Sequence, residues 1–127
     1  MDAPEVVAEM ARRFQSGDLD GAYALFHEDV RIEQAQSLPH RGVHVGRPGM
    51  AEMAAAFGEH WDRTITNPRI FGGDDQAVQL TTQTWTSKAT GRSATSDIAE
   101  LMTVKDGVVV EIRVFPQDTA ALLATLD

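Results

Sequence analysis

Glu100 lies in the stretch Ser96-Asp97-Ile98-Ala99-Glu100-Leu101-Met102-Thr103-Val104, and in an extended strand every second residue shares a face. Its face mates are Ser96, Ile98, Met102 and Val104, mostly apolar. Turned inward, that face strips water from the carboxylate and raises its pKa toward neutrality, the condition for a general acid or base at ordinary pH. Turned outward, Glu100 is a solvated surface carboxylate. The inward reading carries chemistry and makes Glu100 the expected proton-transfer residue. Gln34 closes a second alternation, Val30-x-Ile32-x-Gln34. An amide cannot abstract a proton, but it can orient a carbonyl or hydroxyl of a ligand; otherwise it satisfies itself on a neighbouring backbone group or on Glu100.

His40 and His44 stand at i and i+4, yet Pro39 and Gly42 oppose the helix on which such a pair grips a metal, and no third ligand follows at a recognisable spacing. No metal site is expected. Each histidine is then either an acid–base group at the rim of a pocket, since imidazole titrates near neutrality, or an exposed loop residue. His27 and His60 read as structural, His60 at a helix end where a cation complements the dipole.

Composition narrows the chemistry further. The chain has 127 residues and 43% hydrophobic content, enough for one domain, read as residues 1–127. It has no cysteine, which removes disulfides, thiolate zinc sites and cysteine nucleophiles. Eleven Lys and Arg against 19 Asp and Glu leave a net charge of −8, and the basic residues form no stripe, so a nucleic-acid partner is disfavoured. No apolar run is long enough for a membrane span and no signal-peptide order opens the chain; a soluble cytoplasmic protein is expected. Serine-nucleophile, phosphate-loop and dinucleotide motifs are missing, so no cofactor is implied.

The elements that must position these residues follow from periodicity. Asp2-Ala-Pro-Glu5 has the form of a capping box, and Val6, Val7, Met10 and Phe14 recur at helical spacing until Gly17. Asp18 can cap a second helix with Leu19, Ala22, Tyr23 and Phe26 on its apolar side. From Val30 the period becomes two, and a loop over Ser37–Gly46 follows. Pro48 then suits a first helical turn, and Met50, Met53, Ala54, Phe57 and Trp61 form one stripe of a third helix. The remainder is strand-like: Thr64–Phe71, where Pro68 predicts an edge or a bulge; Ala77–Ser87; Ser93–Val104; and, after an Asp106-Gly107 hairpin signal, Val108–Phe115. Asp118 caps a last helix bearing Leu122, Leu123 and Leu126. Helices segregated from a run of antiparallel strands make an α+β domain. A long twisted sheet with helices on one side curls into a half-open cone, with room for a small molecule at its wide end.

Three stretches carry a resemblance: "GDLDGAYALFHEDVRIE", "SLPHRGVHVGRPGM" and "AELMTVKDGVVVEIRVFPQDTAALL". Together, and over nearly the whole chain, they resemble the nuclear-transport-factor-2-like superfamily, and within it the SnoaL-like and ketosteroid-isomerase-like branch. The resemblance implies a cystatin-like α+β barrel, a cone-shaped curved sheet with helices packed on its concave side. The isomerase's catalytic Asp falls on Gln34, its oxyanion-hole Tyr on Met10, and its protonated Asp, in Asp-x-Met, on Glu100 of Glu100-Leu101-Met102. One acid of the three positions is therefore kept. Epoxide hydrolases of this scaffold use an Asp-Arg-Asp arrangement, and no Arg-x-Asp on a strand supplies it here.

The resemblance also places Thr81, Gln83 and Trp85 inside the cavity. Trp85, with Phe57 and Trp61 from the third helix and Met102 beside Glu100, either stacks on a flat ligand or fills the core. The expected function is cofactor-independent acid–base chemistry of the polyketide cyclase or isomerase type on an apolar or polycyclic metabolite. Glu100, His40 and His44 are the expected catalytic groups, and Gln34, Gln83, Trp85, Phe57, Trp61 and Met102 the ligand contacts. The alternative is a non-catalytic module that binds a ligand or a partner. Related folds dimerise through the outer sheet face, here bearing Thr82 and Thr84, so a homodimer is expected.

Overall fold

The computed structural model describes Met1–Asp127. Its first turn is fixed by the capping box: the Asp2 carboxylate accepts from the Glu5 amide at 3.0 Å, and Glu5 accepts from the Asp2 amide at 3.4 Å. Helix α1 (Ala3–Gln15) buries Val6, Val7 and Met10 as their spacing predicts, together with Ala3, whereas Phe14, read on the same face, is exposed. Helix α2 (Leu19–Tyr23) is capped by Asp18 but shorter than the apolar spacing suggests. Leu19 is exposed, and Phe26 already begins strand β1 (Phe26–Gln34).

Within the stretch read as a loop lies a strand, β2 (Gly42–Val45), which pairs antiparallel with β1 and sets Ile32 opposite His44 and Gln34 opposite Gly42. Four residues are too few for a period-two signal to stand out. The chain enters α3 (Gly46–Gly58) through Gly46 at φ +67°, where an added Cβ would come within 2.7 Å of the Glu28 carbonyl oxygen. Helix α3 ends before Trp61. The four-residue interval from Phe57 to Trp61 imitated a helical stripe, whereas Trp61 is the first residue of β3 (Trp61–Gly72).

Strands β3, β4 (Gln76–Ser87), β5 (Ser93–Lys105) and β6 (Val108–Pro116) form an antiparallel meander. The β3–β4 register shifts between Thr66 and Arg69, around Asn67 and Pro68, so the proline marks both an edge strand and a bulge. Asp106 and Gly107, at φ 52° and 78°, make the tight hairpin turn between β5 and β6. Helix α4 (Thr119–Ala124) is capped by the Asp118 carboxylate, which accepts from the Ala121 amide at 2.9 Å. The sheet order is β2-β1-β6-β5-β4-β3. All pairings are antiparallel but one: β1 runs parallel to β6, which corrects the expectation of antiparallel strands throughout.

Two cores fill the concave side of this curved α+β sheet. The larger is aliphatic: Val6, Val7 and Met10 of α1 meet Val30 and Ile32 of β1, Met102 and Val104 of β5, and Ile112 of β6. The smaller is built on Trp61, Trp85, Leu38, Ile98 and Leu122. On β5 the inward residues run Ile98, Glu100, Met102. Ile98 belongs to the second core and Met102 to the first, so Glu100 stands at the seam between them.

Candidate active site

A cavity of about 550 Å3 occupies that seam. Its solvent-exposed lining residues are Phe14, Gln15, Ala54, Arg63, Ile65 and Pro68, which set the mouth between the end of α1, the middle of α3 and the edge strand β3. Strands β4 and β5 supply the polar part of the wall. The period of two turns Gln79, Thr81, Gln83 and Trp85 inward from β4, and Ile98, Glu100 and Met102 from β5. Register puts Glu100 between Gln79 on one side and Val114 on the other.

Burial raises the Glu100 carboxyl above its ordinary pKa; the positive charge of Arg63 works against that shift and does not reverse it. No hydrogen bond contributes, so the carboxyl has free proton-donating and proton-accepting capacity toward whatever occupies the cavity. Its inward placement among Ile98 and Met102 is the arrangement read from the alternation of β5.

His40 lies against the aromatic core, 5% exposed, with ring centroids 5.4 Å from Phe57, 5.9 Å from Trp85 and 6.2 Å from Trp61. Desolvation, reinforced by the neighbouring charges of His44, Arg63 and His60, lowers its pKa to about 4. It is therefore a neutral imidazole at physiological pH, and its Nδ1 is buried without a partner. The exposed-loop alternative does not hold for His40.

On β4 the Trp85 indole donates to Gln83 Oε1 at 2.9 Å, and Gln83 Nε2 donates to Thr81 Oγ1 at 3.0 Å. This chain fixes which face of the Gln83 amide meets the cavity. Gln34 reaches the cavity from β1, and its amide donates to the Met53 sulfur at 3.1 Å, not to backbone or to Glu100. A thioether is a weak acceptor, and the Gln34 carbonyl oxygen is left to meet a ligand. No group of three or more His, Cys, Asp or Glu side chains is gathered closely enough to hold a metal ion.

Residues 7–112 match the family model of the SnoaL-like domain. The chain belongs to the SnoaL-like family. Solved structures agree on the fold. An NTF2-like protein of Burkholderia thailandensis E264 superposes with a TM-score of 0.89 at 18% identity, covering 100% of this chain and 98% of that one. TerC, co-crystallised with polyporic acid, gives 0.82 at 21% identity over 98% of each chain. A protein of Pseudomonas putida KT2440 described as a candidate polyketide cyclase gives 0.80 at 14% identity, over 100% and 99%. A Xanthomonas campestris protein of unknown function described as having a cystatin-like fold gives 0.81 at 18% identity, over 99% and 98%. No curated protein matches the sequence.

In this SnoaL-like chain the cavity gathers Glu100, Gln34, His40, Gln83, Trp85 and Met102. It leaves out three residues expected at the site. His44 sits on β2 outside the lining, and its Nε2–H donates to the His40 carbonyl at 2.9 Å, which holds the loop that carries His40. Trp61 is buried behind the wall, its indole donating to Thr125 Oγ1 at 2.8 Å. Phe57 packs between His40 and Trp85 and fills core.

Arg63 and Gln79 line the cavity and were not read from the sequence. Both lie on strand alternations. Once Trp61 opens β3, the series Trp61, Arg63, Ile65 faces inward, and Gln79 precedes Thr81 and Gln83 on theirs. Assigning Trp61 to the third helix concealed the first of these.

Proposed function

We propose that this SnoaL-like protein is a cofactor-independent acid–base enzyme of the polyketide cyclase or isomerase type, acting on an apolar cyclic metabolite that bears a carbonyl. The observation that carries the reading is Glu100: one carboxyl on the cavity wall, between two apolar cores, with its pKa raised and no protein partner. In its protonated form the carboxyl can donate its proton to a carbonyl oxygen, and the carboxylate so formed can remove the proton of an adjacent C–H bond, which yields the enol and restores the acid. Gln34 and Gln83 orient the ligand's oxygens, the Trp85 edge packs on its ring, and neutral His40 is the second group able to exchange a proton. The neighbours described as candidate polyketide cyclases, and the TerC complex with polyporic acid, support this reading.

The test is turnover of a panel of cyclic carbonyl metabolites by the wild type and by Glu100→Gln. Loss of the proton-transfer group lowers kcat on the order of 10²–10⁴-fold, and unchanged turnover of an accepted substrate contradicts the role.

A non-catalytic binding module is the second reading. Gln34 and Met10, an amide and a thioether, line the cavity where the resemblance implies a base and a hydrogen-bond donor, and both favour retention of a ligand over its conversion. A ligand recovered unchanged after long incubation with the protein supports it.

We also propose a homodimer through the outer sheet face. There Phe71, Val78 and Leu101 adjoin one another in register, as do Leu80, Ala99 and Phe115, with Phe71 and Phe115 exposed. Light scattering that finds only monomer at high protein concentration overturns this.

A further inference from the structure

The cavity mouth holds a cation that makes no salt bridge. Arg63 extends from β3 opposite Trp85, and its guanidinium lies over the Phe57 ring with Cζ 5.1 Å from the centroid. The salt bridges of the protein all lie elsewhere, on α1, between α2 and α3, on the strands away from the cavity, and between Lys88 and Asp62. Among the lining residues the other titratable side chains of acid–base character near neutrality are Glu100 and His40, and both are held toward their neutral forms by burial. The remaining polar lining consists of amides and hydroxyls, which have no net charge to offer a counter-ion.

We infer that the ligand of this cavity carries an acidic oxygen group ionised at neutral pH, and that Arg63 is the specificity-determining residue that pairs with it at the mouth. The inference rests on the reading of the cavity as a ligand site and deepens it by naming the substrate class: an apolar ring body placed between the two cores, with an anionic oxygen at the open end. A guanidinium suits this work because its planar fork can meet two oxygens at once, and stacking on Phe57 limits the orientations it must give up on binding. The exposure of Arg63 sets the size of the effect, because a cation in contact with water gains far less from its partner than a buried one.

The experiment compares 2-naphthoate with its neutral isostere 2-naphthamide, followed by quenching of tryptophan fluorescence at low ionic strength, Trp85 being part of the wall. The wild type is expected to bind the naphthoate about two- to fivefold tighter than the amide, and the ratio falls as salt is added. Arg63→Gln brings the ratio to about one, chiefly by weakening the binding of naphthoate, while Arg63→Lys keeps part of the preference. Arg63 is an exposed edge-strand residue, and an unchanged melting temperature verifies that the variants fold.

Equal affinities in the wild type, or a preference that survives Arg63→Gln, overturn the inference while leaving the cavity reading standing. Failure of both naphthyl compounds to bind the wild type overturns the two together. Turnover is no part of the readout, so a protein that discriminates but catalyses nothing loses the enzymatic reading alone.

Discussion

The aliphatic and aromatic cores rest on the same curved sheet and are built by opposite means. The eleven buried residues of the first are all apolar side chains from α1 and the strands, held by area and fit. The second carries polar atoms within it: the Trp61 indole on Thr125, the Trp85 indole on Gln83, and the buried imidazole of His40. Each of the two indoles needs its acceptor at a defined place, so the aromatic core constrains the positions of its neighbours more tightly than the aliphatic one does. Glu100 is placed at the boundary, with apolar packing on the Met102 side and oriented amides on the other. The comparison teaches that a chemically useful carboxyl here depends on both, one core for its desolvation and the other for the direction of the groups around it.

The largest effect should come from breaking the aromatic core. Trp61→Ala empties a site that is 1% exposed and also removes the bond to Thr125, and is expected to cost about 3–5 kcal/mol in denaturant unfolding. Val7→Ala in the aliphatic core should cost about 2 kcal/mol, the transfer energy of the lost methyl groups plus a small cavity. Equal losses for the two would erase the distinction drawn between the cores.

Next in size is the acid limb of stability. The folded pKa of His40 is lowered from 6.5 to about 4, so between these values the unfolded chain takes up a proton that the folded protein refuses. Stability linked to His40 is therefore full above about pH 6.5 and is lost as pH falls toward 4, by up to about 3 kcal/mol. The charges acting on the ring are those of His44, Arg63 and His60. Glu100 has the opposite sign: with its pKa raised, the folded state holds the proton more tightly, and stability rises as pH falls from above its folded pKa toward the ordinary carboxylate value. Unfolding measured against pH should thus flatten in His40→Phe below pH 6.5, while Glu100→Gln should gain stability over the wild type at high pH.

A smaller loss is expected from Thr125→Val, which keeps the shape of the core but leaves the Trp61 indole without its acceptor and the Leu122 carbonyl without the donated hydroxyl. About 1–3 kcal/mol should be lost in thermal unfolding, with ligand binding in the cavity unaffected. A change in affinity would mean that the aromatic core extends its control as far as the cavity wall.

Much of the fold could be read from the sequence because strong local signals stated it: the Asp2–Glu5 capping box, the Asp106-Gly107 turn, the break at Pro68 and the period of two that turns Glu100 inward. The parts that could not be read depend on long-range pairing. Strand β2 exists because β1 offers it an edge, and the parallel β1–β6 contact joins segments some 80 residues apart, for which no local pattern exists. The site divides in the same way. Glu100, Gln34 and the inward face of β4 follow from alternation. His40 could not be told from His44, since one loop residue is buried and the other holds it by a backbone bond. Arg63 was lost with the true start of β3, one misplaced tryptophan hiding the cavity's cation.

The central claim is that the seam between the cores keeps the Glu100 carboxyl protonated above the ordinary range. Carbon-13 NMR titration of the Glu100 side-chain carboxyl, assigned by its disappearance in Glu100→Gln, measures this directly. A midpoint clearly above the ordinary value of 4.5 is predicted; a midpoint at or below it would contradict the account, since a carboxyl ionised through the working pH range is neither desolvated nor poised to give up a proton.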